Sequence, residues 1–212
     1  MVKYKVIDNF LSEKDFIQLR NFVSPNIDDN SDSQREELSW KYTQDTVDEN
    51  LVEKLSYLKS PSFFDKVTDI EPARTINSWV LSHILWEESQ SSPALPIFGK
   101  LLDKINPIAI WRIHATLTPQ QEKRMRGAFH IDYGHEPLEH NSLITSIFYM
   151  NTTNGPTILE DCTEIESRAN RLLSFPYDTY HAAVSCTDSP YRIIVNLNYF
   201  GNRYTYLEGA LG

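Results

Sequence analysis

The sequence predicts a mainly β member of the α+β class: a jelly roll braced by N-terminal helices. Three observations carry this. Apolar residues recur at helical spacing in the first part of the chain. From about Leu95 short alternating runs replace them, separated by turn-forming residues such as Asn154-Gly155-Pro156 and Asp188-Ser189-Pro190. No internal repeat, low-complexity stretch or linker interrupts the 212 residues, so the chain reads as one domain, with a helical brace over about 10–90 and a core over about 95–205. Helices followed by a run of strands suit helices packed on a sandwich or barrel, and an eight-stranded double-sheet jelly roll is the natural host.

The elements follow in order. Tyr4, Val6 and Ile7 form an opening strand. Ser12 with Asp15 resembles a capping box, Asp replacing the usual Glu. A helix runs from there to about Val23, with Phe16, Leu19, Phe22 and Val23 as its apolar stripe. Residues 24–37 crowd Asn, Asp and Ser together and read as an exposed loop, a candidate lid, as is the polar loop after Asp132. Trp40 and Tyr42 start a short strand, and Val47, Leu51, Leu55 and Leu58 fall at helical spacing. Pro72 suits the first turn of another helix, with Ile76, Trp79, Val80, His83 and Ile84 on or near its buried side; His83 is therefore read as structural. Ile108–Thr116 and Leu143–Met150 read as strands. Along Arg192–Tyr199 the alternation is clean: Arg192, Asn196 and Asn198 share a polar face that can line a pocket. Ile193, Val195, Leu197 and Tyr199 share an apolar face that can pack on helices.

Composition narrows the function. The chain is 41% hydrophobic and 23% charged, with no apolar run near the roughly 20 residues of a membrane span. Its N-terminus lacks the apolar core of a signal peptide. Cys162 and Cys186 form no Cys-x-x-Cys and read as small buried hydrophobes of a cytoplasmic protein. A net charge of −9 argues against nucleic acid as a partner. The one basic run, Lys123-Arg124-Met125-Arg126, reads as a solvated loop at the edge of a pocket, with an acidic substrate as its functional alternative.

Four residues carry the chemistry. His130 and Asp132 are two apart, so on a strand both point to one face. His181 is the only histidine after His140. Two imidazoles and a carboxylate can occupy one face of a ferrous ion and leave its other positions open. Arg192, eleven residues past His181, can hold a carboxylate through its two-point fork. His-x-Asp alone is a weak signal; Arg192 and the order of elements strengthen it. Arg112 and His114 share a strand face, and two placements stay open: the cavity, or the solvent side of an edge strand. His135 and His140 read as exposed loop histidines.

On these residues the chain resembles the iron(II)- and 2-oxoglutarate-dependent dioxygenases, in their prolyl-4-hydroxylase-like branch. Val6-Ile7-Asp8-Asn9-Phe10-Leu11-Ser12 is similar to the family's approach to its first helix, and Phe129-His130-Ile131-Asp132 to its metal strand. Ser146-Ile147-Phe148-Tyr149-Met150-Asn151 resembles the next core strand. Asn154-Gly155-Pro156-Thr157 resembles a Gly-Gly-x-Thr turn, with Pro156 for the second glycine. Ser174-Phe175-Pro176 through Tyr180-His181-Ala182-Ala183-Val184 resembles the segment that delivers the second histidine. The resemblance implies a double-stranded β-helix and a hydroxylase of peptidyl proline or a similar unactivated C–H. It implies Fe(II), 2-oxoglutarate and O2 as cofactor and cosubstrates, with ascorbate as an optional reductant. Residue by residue, it makes His130, Asp132 and His181 the iron ligands and Arg192 the partner of the distal carboxylate. Tyr149 becomes a phenolic donor to that carboxylate, or else an ordinary strand aromatic, and Thr157 a pocket-lining residue. The prime substrate stays open among peptide, protein and small molecule. Two other classes compete: a cupin-like metal protein without 2-oxoglutarate chemistry, and a non-catalytic jelly-roll binding module. Arg192 counts against the first, because a buried guanidinium without an anion is costly. The intact His, Asp, His and Arg count against the second.

Overall fold

Ser12 sets the first turn of the molecule. Its Oγ accepts the Asp15 backbone N–H at 3.2 Å and donates to the Asp15 carboxylate at 2.6 Å, and α1 (Glu13–Val23) follows strand β1 (Lys5–Ile7) over the span the apolar stripe predicts. Phe16, Leu19 and Val23 are buried. The computed structural model describes residues 3–24, 37–44, 71–72, 79–132 and 142–201. The predicted helical positions Val47, Leu51, Leu55, Leu58 and Ile76 lie outside them.

Next come β2 (Lys41–Gln44), β3 (Glu71–Pro72), β4 (Trp79–Glu87) and β5 (Gln90–Ser91). The helix expected from Pro72 through Ile84 is corrected here: residues 79–87 are strand. The run is rich in β-branched and aromatic residues, and both of its edges find partners, β2 on one side and a later strand on the other. Leu81 and Leu85, off the helical stripe, turn to the core, while Ile84, expected inside, is 48% exposed. His83 is held by Ser39 O at 2.6 Å and Ser92 Oγ at 2.8 Å, a structural role as expected.

A second difference follows Leu95, where strands were expected to begin. Leu95–Phe98 is a 3₁₀ turn and α2 (Gly99–Ile105) continues it, burying Phe98, Leu101 and Ile105 and ending at Asn106 in the left-handed region (φ 52°). The remaining strands are β6 (Ala109–Pro119), β7 (Met125–Arg126), β8 (Leu143–Tyr149), β9 (Thr153–Leu159), β10 (Glu164–Ser167), β11 (Arg171–Pro176), β12 (His181–Ala183) and β13 (Tyr191–Phe200).

Among the described residues, the main sheet runs β1-β11-β8-β13-β6-β4-β2, with β5 beside β4. A smaller sheet runs β10-β9-β12, and β3 pairs β7 in parallel. The two faces of β13 do different work. Ile193, Val195, Leu197 and Tyr199 join Phe16, Leu19, Val23, Leu101 and Ile105 in one core, so the helices brace this face. Ile194 joins Ile147, Tyr149, Leu173 and Phe175 from the main sheet and Leu159 and Ile165 from the smaller one. The sheets therefore face each other across an apolar seam, the jelly roll the sequence predicts.

Asn154-Gly155-Pro156 is a further correction, since it lies inside β9 and not at a turn. Opposite it the register jumps from Ile165↔Thr157 to Ser167↔Thr153, a bulge that accommodates a proline without an N–H. A Cβ on Gly155 would meet Val184 O at 2.5 Å, so only glycine lets these backbones approach. Asp188-Ser189-Pro190 does form a bend. Cys186 is buried, whereas Cys162 is half-buried, and the two form no disulfide among the described residues. Among the described residues no helix is long and apolar enough to cross a membrane.

Candidate metal centre

His130 and His181 come together through backbone pairing. Each N–H donates to the other's carbonyl at 3.0 Å, and the rings sit 4.6 Å apart. His130 Nδ1 lies 3.1 Å from Ala128 O and His181 Nδ1 3.2 Å from Thr179 O. A carbonyl only accepts, so each Nδ1 carries a proton and each Nε2 is the nitrogen that faces Asp132 and, once unprotonated, can ligate a metal ion. Both Nε2 atoms point at Asp132 Oδ1, at 3.7 Å and 3.6 Å. The other carboxylate oxygen, Oδ2, accepts from Asn196 Nδ2 at 3.0 Å and Asn198 Nδ2 at 2.9 Å. One oxygen is thus occupied and the other presented.

The three donor atoms lie within 4.8 Å of one another, the donor set and spacing of a divalent cation site with open positions. Their outer hydrogen bonds fix ring tautomers and carboxylate orientation, as metal ligands require. Burial alone would raise the Asp132 carboxyl; the charges and hydrogen bonds of His181 and His130 outweigh it and hold the group well below the usual carboxylate range. His130 is moved up from its ordinary value, its burial outweighed by the Asp132 hydrogen bond.

Arg192 lies at the inner end of β13 and is 1% exposed. Its Nε donates to Gly155 O at 2.8 Å and Ser167 Oγ at 2.9 Å, and its Nη2 to Thr157 Oγ1 at 2.9 Å. Tyr149 lies under the guanidinium (5.6 Å) and donates its own hydroxyl to Thr157 Oγ1 at 2.8 Å. The expected trio of Arg192, Tyr149 and Thr157 is therefore one cluster. Among the described residues no carboxylate pairs with Arg192. Burial pushes its proton affinity down, yet arginine keeps its charge. Burial raises the Tyr149 phenol, which stays a donor.

Arg112 and His114 lie on the sheet face that carries the contacts to Asp132, not on an edge strand. β6 is an interior strand between β13 and β4, with Arg112 opposite Asn198 and His114 opposite Asn196. Arg112 Nε donates to Asn198 Oδ1 at 3.2 Å, and its Nη2 is 3.6 Å from Asp132 Oδ1. Asn196 and Asn198 appeared in the sequence only as a polar face; their grip on Asp132 was not anticipated. Of the basic run, Met125 and Arg126 form β7, and the Arg126 guanidinium lies over Phe129. His135, His140, residues 25–36 and the loop after Asp132 lie outside the described residues.

No family model matches this sequence, and no curated protein matches it. Among solved structures, AviO1 from Streptomyces viridochromogenes Tue57 aligns with a TM-score of 0.51 and 8% identity over 94% of this chain and 90% of that one. A prolyl-4-hydroxylase from Pseudomonas putida aligns over 95% and 94% (TM-score 0.48, 11% identity). A prolyl hydroxylase from Trichoplax adhaerens, solved with a hypoxia inducible factor peptide, aligns over 94% and 84% (TM-score 0.49, 12% identity). The likeness to AviO1 is one of fold.

Proposed function

We propose that this chain is a single-domain iron(II)- and 2-oxoglutarate-dependent oxygenase. The observation that carries the reading is Arg192: a fully buried guanidinium, held rigidly by neutral groups, on the same strand face as the residues that orient Asp132. A buried cation without an anion costs several kcal/mol, so the site is built to receive one. His130, Asp132 and His181 would hold iron(II), which when bound supplies the redox chemistry with dioxygen and a chelated 2-oxo acid.

The protein's own groups divide the work. Arg192 would pair with the distal carboxylate of 2-oxoglutarate, Tyr149 and Thr157 would complete that cradle, and Ile194 with Ile147 would keep water from the chain between. Asn196 and Asn198 would keep Asp132 in one orientation. In the net reaction 2-oxoglutarate, dioxygen and a substrate C–H give succinate, carbon dioxide and a C–OH. Dioxygen takes four electrons, two from the decarboxylated oxo acid and two from the C–H bond.

The test is an anaerobic titration of the metal-free protein with iron(II) and 2-oxoglutarate, followed in visible light. A charge-transfer band that needs both supports the reading. Iron binding without that band would turn the assignment to a cupin-like metal protein.

A further inference from the structure

The outer end of the same sheet face carries a second incomplete set of polar groups. Arg112 is pinned through Nε to Asn198, while Nη1 and Nη2 make no hydrogen bond among the described residues. Asp132 meets it only as an ion pair, Nη2 to Oδ1 at 3.6 Å, and shares that oxygen with two imidazole nitrogens while Oδ2 is taken by two asparagines. Glu87 sits opposite Arg112 in the β4–β6 register, yet its carboxylate lies 3.4 Å from His114 Nε2 and not on Arg112. Beside them, Asn196 Oδ1 is buried without a hydrogen-bond partner, and across β6 it faces His114, whose Nε2 has only the Glu87 carboxylate at 3.4 Å. Buried polar atoms are nearly always satisfied, so an unmatched acceptor beside a guanidinium fork whose terminal nitrogens make no hydrogen bond marks a place for a ligand.

We propose that this strip binds the prime substrate, and that the substrate is a small amino or hydroxy acid whose carboxylate docks on Arg112. This rests on the oxygenase reading above. The fork matches a carboxylate, Asn196 Oδ1 takes an N–H or O–H donor of the same molecule, and His114 serves as donor or acceptor. Glu87 adds a negative charge on the next strand and favours an ammonium as that donor. Arg112 stands 3.6 Å from Asp132, so the oxidised carbon lies only a few bonds from the carboxylate. The two arginines then divide two acids between them, with 2-oxoglutarate inside and the substrate outside.

The experiment presents the iron(II)–2-oxoglutarate enzyme with the twenty L-amino acids and simple 2-hydroxy acids, each beside its carboxamide, and with an end-blocked proline peptide. Succinate is measured. At least one free acid is expected to raise succinate formation tenfold or more, with its carboxamide inactive. In Arg112→Gln the acid-to-amide ratio should fall at least tenfold, an internal comparison that does not depend on the variant's absolute activity. If Arg112→Gln fails to fold, the wild-type ratio alone decides. Equal response to acid and amide, response to the blocked peptide alone, or no response to any acid overturns the proposal. Absence of the iron–2-oxoglutarate band would instead overturn the reading beneath it.

Discussion

Two arginines flank the candidate metal centre, and the fold treats them differently. Arg192 is 1% exposed, has bonds to three neutral oxygens and lies on an aromatic ring. The Arg112 side chain is 21% exposed and has one hydrogen bond. A third arginine sets the standard for both. Arg171, on β11, closes a two-point pair with Asp8 at 2.6 Å and 3.0 Å. Among the described residues, then, Arg171 is matched two-point by its own carboxylate, Arg192 has none, and Arg112 has only a 3.6 Å approach to a candidate metal ligand, Asp132. The inner one is rigid, as suits one fixed cosubstrate, and the outer one is open, as suits a site selected for its substrate.

The largest effect should come from removing the centre that both arginines flank. Asp132→Ala should abolish turnover and weaken cobalt(II) binding, followed by its visible bands, by more than about 100-fold. The inner end comes next. On the proposed reading, Arg192→Ala takes away the partner of the distal carboxylate and should raise the 2-oxoglutarate dissociation constant on the order of 100-fold, with metal affinity nearly intact. Unchanged cosubstrate affinity would break the contrast between the two ends. Asn196→Ala should be milder, costing about tenfold in cobalt(II) affinity, since one of the two bonds that turn Asp132 remains.

Much of this was legible in the residues. The spacing of His130, Asp132, His181 and Arg192 brought together the groups that the structure places on one side of the sheet. The alternation of Arg192–Tyr199 separated site face from core face correctly. What failed was β4, and its failure propagated. Trp79, Val80, His83 and Ile84 fall at helical spacing, but they belong to a short, nearly continuous apolar run that fits a buried strand as well. Read as helix, residues 79–87 leave β6 at the edge of the sheet, where Arg112 and His114 have an equal claim to solvent. Read as strand, they cover that edge and put both residues in the interior. Gly155-Pro156 failed for a related reason: the signal that marks a turn also marks a bulge, and only the approach of Val184 and Ser185 distinguishes them.

That bulge gives a prediction at the inner end alone. Gly155 O is a direct partner of Arg192, and a methyl group there meets backbone. Gly155→Ala should cost about 1–3 kcal/mol in urea unfolding. It should also weaken 2-oxoglutarate binding while leaving the Arg112-dependent acid-to-amide ratio unmoved. A ratio that fell with it would mean that the two ends are not separate.

The smallest effect belongs to Arg171, the arginine that has its own acid. The Arg171 hydrogen bond and charge hold the Asp8 carboxyl below its ordinary value, against a smaller push from burial. A depressed carboxyl contributes stability that is fully present above its unfolded value, about 3.9, and lost as pH falls through the folded value below it. Arg171 stays charged throughout, so the pH dependence comes from Asp8 alone. The Asp8 side chain is 49% exposed, and solvent screening limits the pair to about 1 kcal/mol or less. Asp8→Asn should therefore lose about that much in urea unfolding at pH 6, and the gap to wild type should shrink as the pH is lowered below 4. Cosubstrate and acid binding should not change, because this guanidinium is already satisfied. If Asp8→Asn changed the iron–2-oxoglutarate band, the Arg171 pair would be coupled to the inner end through Tyr149, its register partner on β8, and could no longer stand as the structural reference.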